Sequence, residues 1–323
     1  MYFYVFLEPK VFEEALADGE DAMQSVSGIL ECFRQNCFLA VFEDGRWDSN
    51  IKEVLKDWPA TNLRMRITKM LVHLKKQNRF LHCLRPDYGG AKSDLDCVFD
   101  QAVAAPLDLL LVVAGDDKPP KPGGVEIGTR RTYYDLAFEE TRSALAVYGK
   151  TCSPGDMKET EFLEFHFTKA LMFAREIHIC DRVCGKKNLS DNFRYTIKRF
   201  IVWLGATLAQ PLTCKIVFHL GKPIGYGMDF VIEELRSIKN SCRALSGTAA
   251  EVHFYNEVSK ELNLPHQRFI LTDQIALNVD RGLDFLDKST HCCRDTYVNY
   301  QNAEEARRLL DSCSSGYISS HMI

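Results

Sequence analysis

Residues 264–287 read LPHQRFILTDQIALNVDRGLDFLD, and this stretch decides how the rest of the chain is interpreted. Two short runs within it, QRFILTD and IALNV, are rich in branched and aromatic side chains and are separated by a single residue, which is typical of two strands joined by a tight turn. Upstream of this stretch, runs of the same kind alternate with helical patterns. Such an alternation predicts an α/β fold with a layered, largely parallel sheet.

The first half of the chain opens on the pattern strand, helix, strand. The run YFYVFLEP is followed by apolar residues at helical spacing and then by CFLAVFED, and later LDLLLVVA has the continuous apolar character of a strand buried on both faces. The next ten residues, 115–124, read GDDKPPKPGG, whose prolines and glycines exclude regular structure. With 323 residues the chain is longer than one core usually requires. We therefore expect two layered α/β domains, residues 1–155 and 165–323.

The second half alternates more clearly. The pattern predicts strands at REIHICD, KIVFHL and AEVHFYN, helices at FRYTIKRFIVWLGATL and DFVIEELRSIKNSCRAL, and a last helix over Ala303–Leu310. Each helical run carries one apolar stripe, as expected for a helix that covers one face of a sheet. The boundary between the domains is predicted between residues 150 and 165, where TCSPGDMKET interrupts the pattern.

Composition narrows the function classes. The 40 Lys+Arg and 44 Asp+Glu give a formal net charge of −4, which argues against a protein covered in basic surface, although a local basic patch is compatible with it. No run of eighteen apolar residues occurs, and the first twenty residues lack the pattern of a secretory leader. We expect a soluble, cytoplasmic protein.

The twelve cysteines are mostly scattered singly inside apolar runs, which favours reduced core thiols over a disulfide framework. The nearest approach to a zinc pattern is Cys180 and Cys184 with His178. Because His178 and Cys180 alternate on a predicted strand, a structural role is the favoured interpretation, and no metal site is predicted there.

The segment around His266 carries the clearest chemical pattern. A cation, Arg268, stands two residues after His266, and Asp273 follows five residues later. Residues i and i+2 of a strand point to the same face, so the side chains of His266 and Arg268 can meet one phosphate group. Asp273 is offset by an odd number of residues and has to be reached by a turn. An ordinary surface histidine remains the alternative.

This spacing resembles the H-x-K-x4-D motif of the phospholipase D superfamily. The longer stretch is similar to the C-terminal phospholipase D-like domain of MIT-domain-containing proteins and their bacterial relatives, in which an H-D-R strand leads into a G-R-G-L-D turn. His266 and Arg268 match the first motif, and Arg281 with 282–284 matches the second. Two residues depart from the pattern: Gln267 replaces an acid and Asp280 replaces a glycine.

The resemblance implies a phosphodiester site. In such a motif the histidine attacks or protonates at phosphorus, the cation neutralises phosphate oxygens and the aspartate supports a neighbour. His266, Arg268 and Arg281 would then bind phosphate, with Asp273 and Asp284 in support. Arg281 and Asp284 also fit a simpler interpretation, a turn closed by its own ion pair.

Catalysis by this site is not the favoured interpretation. Phospholipase D enzymes pair two histidines, whereas this sequence has one such motif, so a homodimer would have to bring two copies of His266 together. Arg268 stands where the enzymes keep lysine, and a planar guanidinium does not substitute simply for a compact ammonium. The similar eukaryotic domains are regarded as non-catalytic binders of acidic phospholipid headgroups.

A basic cluster lies on and before a predicted helix of the second half. Its members are Lys186, Lys187, Arg194, Lys198 and Arg199. The cluster is either a solvated helix face or a surface that steers a polyanion towards the phosphate site.

Acidic residues follow several predicted strand ends in the first half. Carboxylates gathered at one sheet edge hold Mg²⁺ in metal-dependent nucleases of the PIN-like kind, although loops also collect acids for solubility alone. The candidate acidic cluster comprises Glu8, Asp94, Asp96 and Asp116, with Glu43, Asp44 and Asp117 nearby. Mg²⁺ is the one cofactor that this hypothesis would require, and otherwise none is expected.

Two hypotheses follow. In the first, the protein binds phosphodiesters, nucleic acid before anionic lipid headgroups, through the degenerate phospholipase D-like site. In the second, it is a phosphodiesterase or nuclease, of the kind used in bacterial defence, that acts through a homodimeric His266 site or through the N-terminal acids. An interaction scaffold without a ligand is the third hypothesis.

Overall fold

The computed structural model describes residues 3–42, 45–59, 61–77, 79–83, 107–113, 125–148, 150–187, 189–224, 227–255, 267–301, 303–314 and 317–323. The chain forms two compact units, Tyr2–Val147 and Tyr148–Ile323. Each unit combines helices with a sheet, so the α/β class predicted from the sequence is confirmed.

The first unit is built on a five-stranded sheet in the order β3-β2-β1-β4-β5, in which neighbouring strands are parallel. Its strands are β1 (Phe3–Leu7), β2 (Cys37–Phe42), β3 (Phe80–Cys83), β4 (Leu109–Val112) and β5 (Glu126–Thr129). Its helices are α1 (Lys10–Asp18), α2 (Glu20–Asn36), α3 (Arg46–Asp57), α4 (Thr61–Lys76) and α5 (Ala137–Tyr148).

The apolar runs account for this sheet. Every residue of β1, β2 and β4 is buried, as expected for central parallel strands that are covered on both faces. The helix α2 buries one stripe that includes Met23, Val26, Leu30 and Phe33. This stripe has the helical spacing seen in the sequence.

The second unit contains an eight-stranded mixed sheet in the order β15-β9-β8-β7-β10-β11-β14-β6 and a separate two-stranded hairpin, β12–β13. Its strands are β6 (Lys150–Cys152), β7 (Glu176–Asp181), β8 (Lys215–Gly221), β9 (Ala249–Tyr255), β10 (Phe269–Thr272), β11 (Ala276–Val279), β12 (Leu286–Asp287), β13 (Cys292–Cys293), β14 (Thr296–Gln301) and β15 (Tyr317–Met322). Its helices are α6 (Glu159–Leu171), α7 (Arg182–Lys186), α8 (Asp191–Thr207), α9 (Met228–Ser241) and α10 (Ala303–Ser314).

The centre of this sheet is parallel and its flank is antiparallel. β7, β8 and β9 run parallel, whereas β10 pairs antiparallel with both β7 and β11. β6 pairs with β14, so this unit begins at Tyr148 and includes 148–164, upstream of the start near 165 expected from the sequence. β10 begins at Phe269, so Gln267 and Arg268 precede the strand in which the sequence placed them.

In the described part of the chain, no helix is both long and apolar enough to cross a membrane. The cysteines whose side chains the structure describes are all free, and all of them except Cys32 and Cys292 are buried. Vicinal Cys292 and Cys293 are among the free ones.

Candidate functional site

Arg268 and Arg281 lie at the same end of the β10–β11 hairpin. Because β10 and β11 pair antiparallel, the end of β11 lies beside Arg268. The carbonyl of Arg268 accepts a hydrogen bond of 2.9 Å from the amide of Val279. The Arg268 side chain then donates through Nη1 to the carbonyl of Asp280 at 3.1 Å. Arg281 follows immediately and leads into the 3₁₀ turn Gly282–Asp284. The structure therefore brings two of the predicted phosphate-binding residues to one turn.

Gly282 permits this close approach. Its φ of +59° lies in the left-handed region, and a Cβ at this position would stand 2.2 Å from Asp181 Oδ2 and 2.7 Å from Arg268 Cδ. Only a residue without a side chain fits both the backbone conformation and the space. The aliphatic part of Arg268 thus lies across Gly282.

The buried carboxyl group of Asp181 fixes the turn through hydrogen bonds. It ends β7, its side chain is fully buried, and Oδ1 accepts hydrogen bonds from the amides of Val183 and Cys184, each at 2.9 Å. Oδ2 accepts from the amide of Leu283 at 2.7 Å. Burial raises the pKa of the Asp181 carboxyl above its ordinary value, and the three amide donors and the charge of Arg268 offset part of that rise. One carboxyl group therefore caps α7 and fixes the 3₁₀ turn.

Arg281 and Arg294 share one acceptor, Asp284. Arg294 Nη1 lies 2.8 Å from Asp284 Oδ1, and Arg281 Nη1 lies 3.6 Å from Oδ2. The side-chain amide of Asn192 donates through Nδ2 to the same Oδ1 at 2.6 Å, and Arg281 Nε donates to the carbonyl of Asp295. Both guanidinium side chains remain 35% exposed, so their outer edges face solvent.

Sequence reasoning missed Asp181, Asn192 and Arg294. Asp181 carries a local signal, because an aspartate between a strand and a short helix is a common N-cap. Arg294 has no such signal. It reaches Asp284 only because the hairpin β12–β13 folds back on itself.

Asp273 is not part of this group. It follows the other end of β10, about 16 Å of extended chain from Arg268, and its Oδ1 accepts from the amide of Arg175 at 3.0 Å. The expectation that Asp273 supports the phosphate-binding residues therefore does not hold in this geometry, whereas Asp284 does contact Arg281. His266 lies outside the described residues, so its position relative to Arg268 stays a prediction.

A cavity beside the turn is too small for a phosphate group. The cavity lined by Ile179, Phe269, Gly282 and their neighbours measures about 10 Å³, roughly the space of one water molecule. An anion does not fit this cavity and would meet Arg268 and Arg281 at their exposed edges.

Of the candidate acidic cluster, only Glu8 is described. It is buried, accepts from the amide of Val113 at 3.2 Å and lies 3.9 Å from Lys10 Nζ. Asp94, Asp96, Asp116 and the neighbouring Glu43, Asp44 and Asp117 lie outside the described residues. Among the residues that are described, no group of three His, Cys, Asp or Glu side chains could hold a metal ion. A magnesium site in this half stays a prediction.

His178 belongs to a row of polar side chains rather than to a cysteine cluster. Its Nε2 lies 3.3 Å from Glu176, its Nδ1 lies 2.9 Å from His219 Nε2, and His219 Nδ1 lies 2.8 Å from the Tyr255 hydroxyl. Burial lowers the pKa of both imidazoles. Both rings are therefore neutral at pH 7. The Tyr255 hydroxyl then donates to His219 Nδ1, His219 Nε2–H donates to His178 Nδ1, and His178 Nε2–H donates to Glu176.

The basic cluster on α8 is partly neutralised. Arg194 lies 2.9 Å from Glu234, and Arg199 pairs with Glu159. Lys198 is exposed. This helix face therefore carries less free charge than the sequence suggested.

No family model matches the chain, and none of the curated proteins does. The α/β class follows from the helices and strands themselves, and the resemblance to phospholipase D-like domains rests on the motif around Arg268 and Arg281. Function has to be argued from the site.

Proposed function

We propose that the second unit is a phospholipase D-like domain that binds phosphodiester groups of nucleic acid through Arg268, Arg281 and Arg294. The observation that carries this proposal is that three guanidinium groups are fixed around one turn by the carbonyls of Asp280 and Asp295 and by the carboxylate of Asp284. These partners occupy only some of the five N–H donors of each guanidinium group. Among the described residues, no acceptor contacts Nη2 of Arg281 or of Arg294.

A phosphodiester fits these donors better than an isolated cation or an apolar ligand would. Guanidinium groups bind phosphate through paired N–H donors, and their orientation here is set before a ligand arrives. The turn lies at the end of rigid strands, so little entropy is lost on binding. Arg199 and Lys288 lie nearby but are paired with Glu159 and Asp191, so the arginines of the turn supply most of the positive charge of this surface.

A nucleic acid is favoured over a membrane surface. Proteins that dock on bilayers usually insert exposed apolar side chains beside their cations. None of the large apolar side chains that are exposed in the described chain belongs to residues 267–295. Residues 267–295 therefore offer charge without an apolar anchor, which suits a polyanion in solution.

The test is binding of a fluorescein-labelled oligonucleotide, single-stranded DNA or RNA of mixed sequence, measured by anisotropy at several salt concentrations. We expect Arg268→Ala/Arg281→Ala and Arg294→Ala to weaken binding. The slope of log affinity against log salt should fall by about one for each phosphate group that the variant no longer neutralises. Arg281→Lys separates charge from geometry, since it keeps the charge and removes the paired donors.

Arg243→Ala is the matched control, because Arg243 is exposed on the same unit but lies on another surface. Vesicles of phosphatidylcholine with and without phosphatidylserine provide the lipid arm. An unchanged affinity and salt slope in the Arg268→Ala/Arg281→Ala variant would refute the proposal. Binding to anionic vesicles without binding to oligonucleotides would replace nucleic acid by lipid as the ligand.

A further inference from the structure

His291 is held in an unusual backbone conformation. It precedes β13 in the β12–β13 hairpin and has φ of +55°, a left-handed value that is uncommon outside glycine, although histidine adopts it more readily than most other residues. Its amide donates to the carbonyl of Asp287 at 2.9 Å, and its carbonyl accepts from the amide of Glu159 at 3.1 Å. Strained residues that are fixed on both sides in this way occur often at functional sites.

The imidazole of His291 is fixed as well. Its Nδ1 lies 2.6 Å from the Tyr195 hydroxyl, which also contacts Glu159 Oε2. Arg199 pairs with the other oxygen of the same carboxylate. A carboxylate only accepts hydrogen bonds, so the Tyr195 O–H donates to Glu159 and its oxygen accepts from His291 Nδ1–H.

This arrangement determines the tautomer. With the proton on Nδ1, the Nε2 atom carries an unshared electron pair, and among the described residues Nε2 has no hydrogen-bond partner. The side chain is 66% exposed, so the lone pair faces solvent. An imidazole oriented by a hydroxyl and a carboxylate behind it has the arrangement of a general base.

The surface around this imidazole continues to the arginine turn. Asn192 joins the two, because its Nδ2 donates to Asp284 and its Oδ1 accepts from the amide of Lys288 at 3.1 Å. Asn192, Tyr195 and Arg199 stand at positions i, i+3 and i+7 of α8 and hence on one helix face. A polyanion bound by Arg281 and Arg294 therefore passes next to the hairpin that carries His291.

We propose that His291 is the general base of a metal-independent RNA cleavage, an inference that rests on the proposed binding of nucleic acid. The exposed lone pair on Nε2 is available to accept a proton from a hydroxyl group, and the hydroxyl adjacent to a phosphodiester in RNA is the ribose 2′-OH. His291 Nε2 takes the 2′-proton, the 2′-oxygen forms a bond to phosphorus, and the P–O5′ bond breaks. The 5′-oxygen takes a proton from water, and the hydroxide so formed takes the proton from Nε2, which leaves a 2′,3′-cyclic phosphate, a 5′-hydroxyl and the neutral imidazole.

The experiment follows cleavage of a 5′-labelled RNA oligonucleotide by the whole 323-residue chain in excess EDTA. We expect products that end in a cyclic phosphate, and no cleavage of the same sequence carrying 2′-fluoro groups. His291→Ala should slow cleavage by about 100-fold or more. His73→Ala, prepared in parallel on the other unit, should cleave at the unchanged rate and controls for contaminating ribonuclease.

Tyr195 is a positioning residue, so Tyr195→Phe should allow His291 to adopt either neutral tautomer without removing the base. The ¹⁵N chemical shifts of His291 should move from the Nδ1–H pattern towards a mixture in Tyr195→Phe, and cleavage should fall by about tenfold. A purely structural role of Tyr195 would lower stability and leave the tautomer of the folded protein unchanged.

The outcomes separate the two proposals. RNA that binds with a salt slope sensitive to Arg268 and Arg281 but stays intact overturns the role of His291 and leaves the binding function standing. Equal cleavage by the wild type and His291→Ala, or equal cleavage of the 2′-fluoro substrate, also overturns it. Loss of cleavage in His291→Ala with unchanged RNA affinity supports it.

Discussion

Substitution of Gly282 by alanine tests the turn on which the arginine site depends. The left-handed backbone costs an alanine about 1–2 kcal/mol. The new Cβ would also stand 2.2 Å from Asp181 Oδ2, so the carboxyl has to move and give up the 2.7 Å bond from the Leu283 amide. A buried group left without its partner costs about 1–3 kcal/mol. We expect Gly282→Ala to lower the free energy of unfolding by about 2–5 kcal/mol.

Gly155 supplies the matched control. It also has positive φ, +86°, but a Cβ there would meet no atom within 4 Å. Gly155→Ala should therefore show only the backbone cost of about 1–2 kcal/mol. The difference between the two variants isolates the contact with Asp181.

Urea unfolding followed by circular dichroism gives the free energies, and hydrogen exchange with mass spectrometry locates the change. In Gly282→Ala the peptide that contains Leu283 should exchange faster, because its amide no longer reaches Asp181. Oligonucleotide binding should weaken in parallel, since Arg268 lies across Gly282. Equal shifts of the urea midpoint in Gly282→Ala and Gly155→Ala would refute the reasoning.

Two further predictions concern buried charge and protonation. Arg142, whose side chain is 2% exposed, lies 2.7 Å from Glu139, so Arg142→Met should cost about 3–5 kcal/mol in urea unfolding, and adding Glu139→Gln should recover part of that loss. Burial lowers the pKa of His166 to about 3, so the unfolded chain takes up its proton first on acidification and stability is lost as pH falls below about 6.5. Between pH 7 and pH 5 this residue should account for about 2 kcal/mol, and a His166→Gln variant whose pH profile is as steep as the wild type would contradict the assignment.

The sequence was sufficient to predict the strands and helices whose buried residues form continuous or periodic apolar runs. Continuous apolar runs predicted β1, β2 and β4, and the same physics gave β8 and α8 in the second unit. A turn at residues 281–284 was also expected, from the resemblance of RGLD to a G-R-G-L-D turn and from the ion pair that its ends can form. In each case the local sequence already contains the reason for the structure.

Elements that depend on partners far along the chain were not predictable. β14 and β15 read TYVNYQ and YISSHM, and both contain too many polar residues to be recognised as strands from the sequence. They form strands because they make backbone hydrogen bonds with β11 and β9, respectively. The row from Glu176 to Tyr255 arises from the register of three parallel strands. No spacing in the sequence specifies that register.

The same distinction explains which parts of the candidate site were missed. Arg268 and Arg281 are thirteen positions apart and belong to one hairpin, so a motif can indicate both. Arg294, Asn192 and His291 join them only through side-chain contacts between α8, the 3₁₀ turn and the β12–β13 hairpin. The acceptors that orient them, Asp284 and Glu159, come from different elements.

Asn192 is the point at which the arginine turn and the His291 hairpin depend on each other. Asn192 Nδ2 donates to Asp284, which positions Arg281 and Arg294, while Oδ1 holds the backbone of Lys288 in the hairpin. Replacing Asn192 by alanine leaves every cation and the imidazole in the chain but removes both links. If the two groups serve one bound nucleic acid, Asn192→Ala should therefore reduce RNA cleavage more than RNA affinity, because a misplaced base departs from the reaction geometry while the arginines still hold the phosphates.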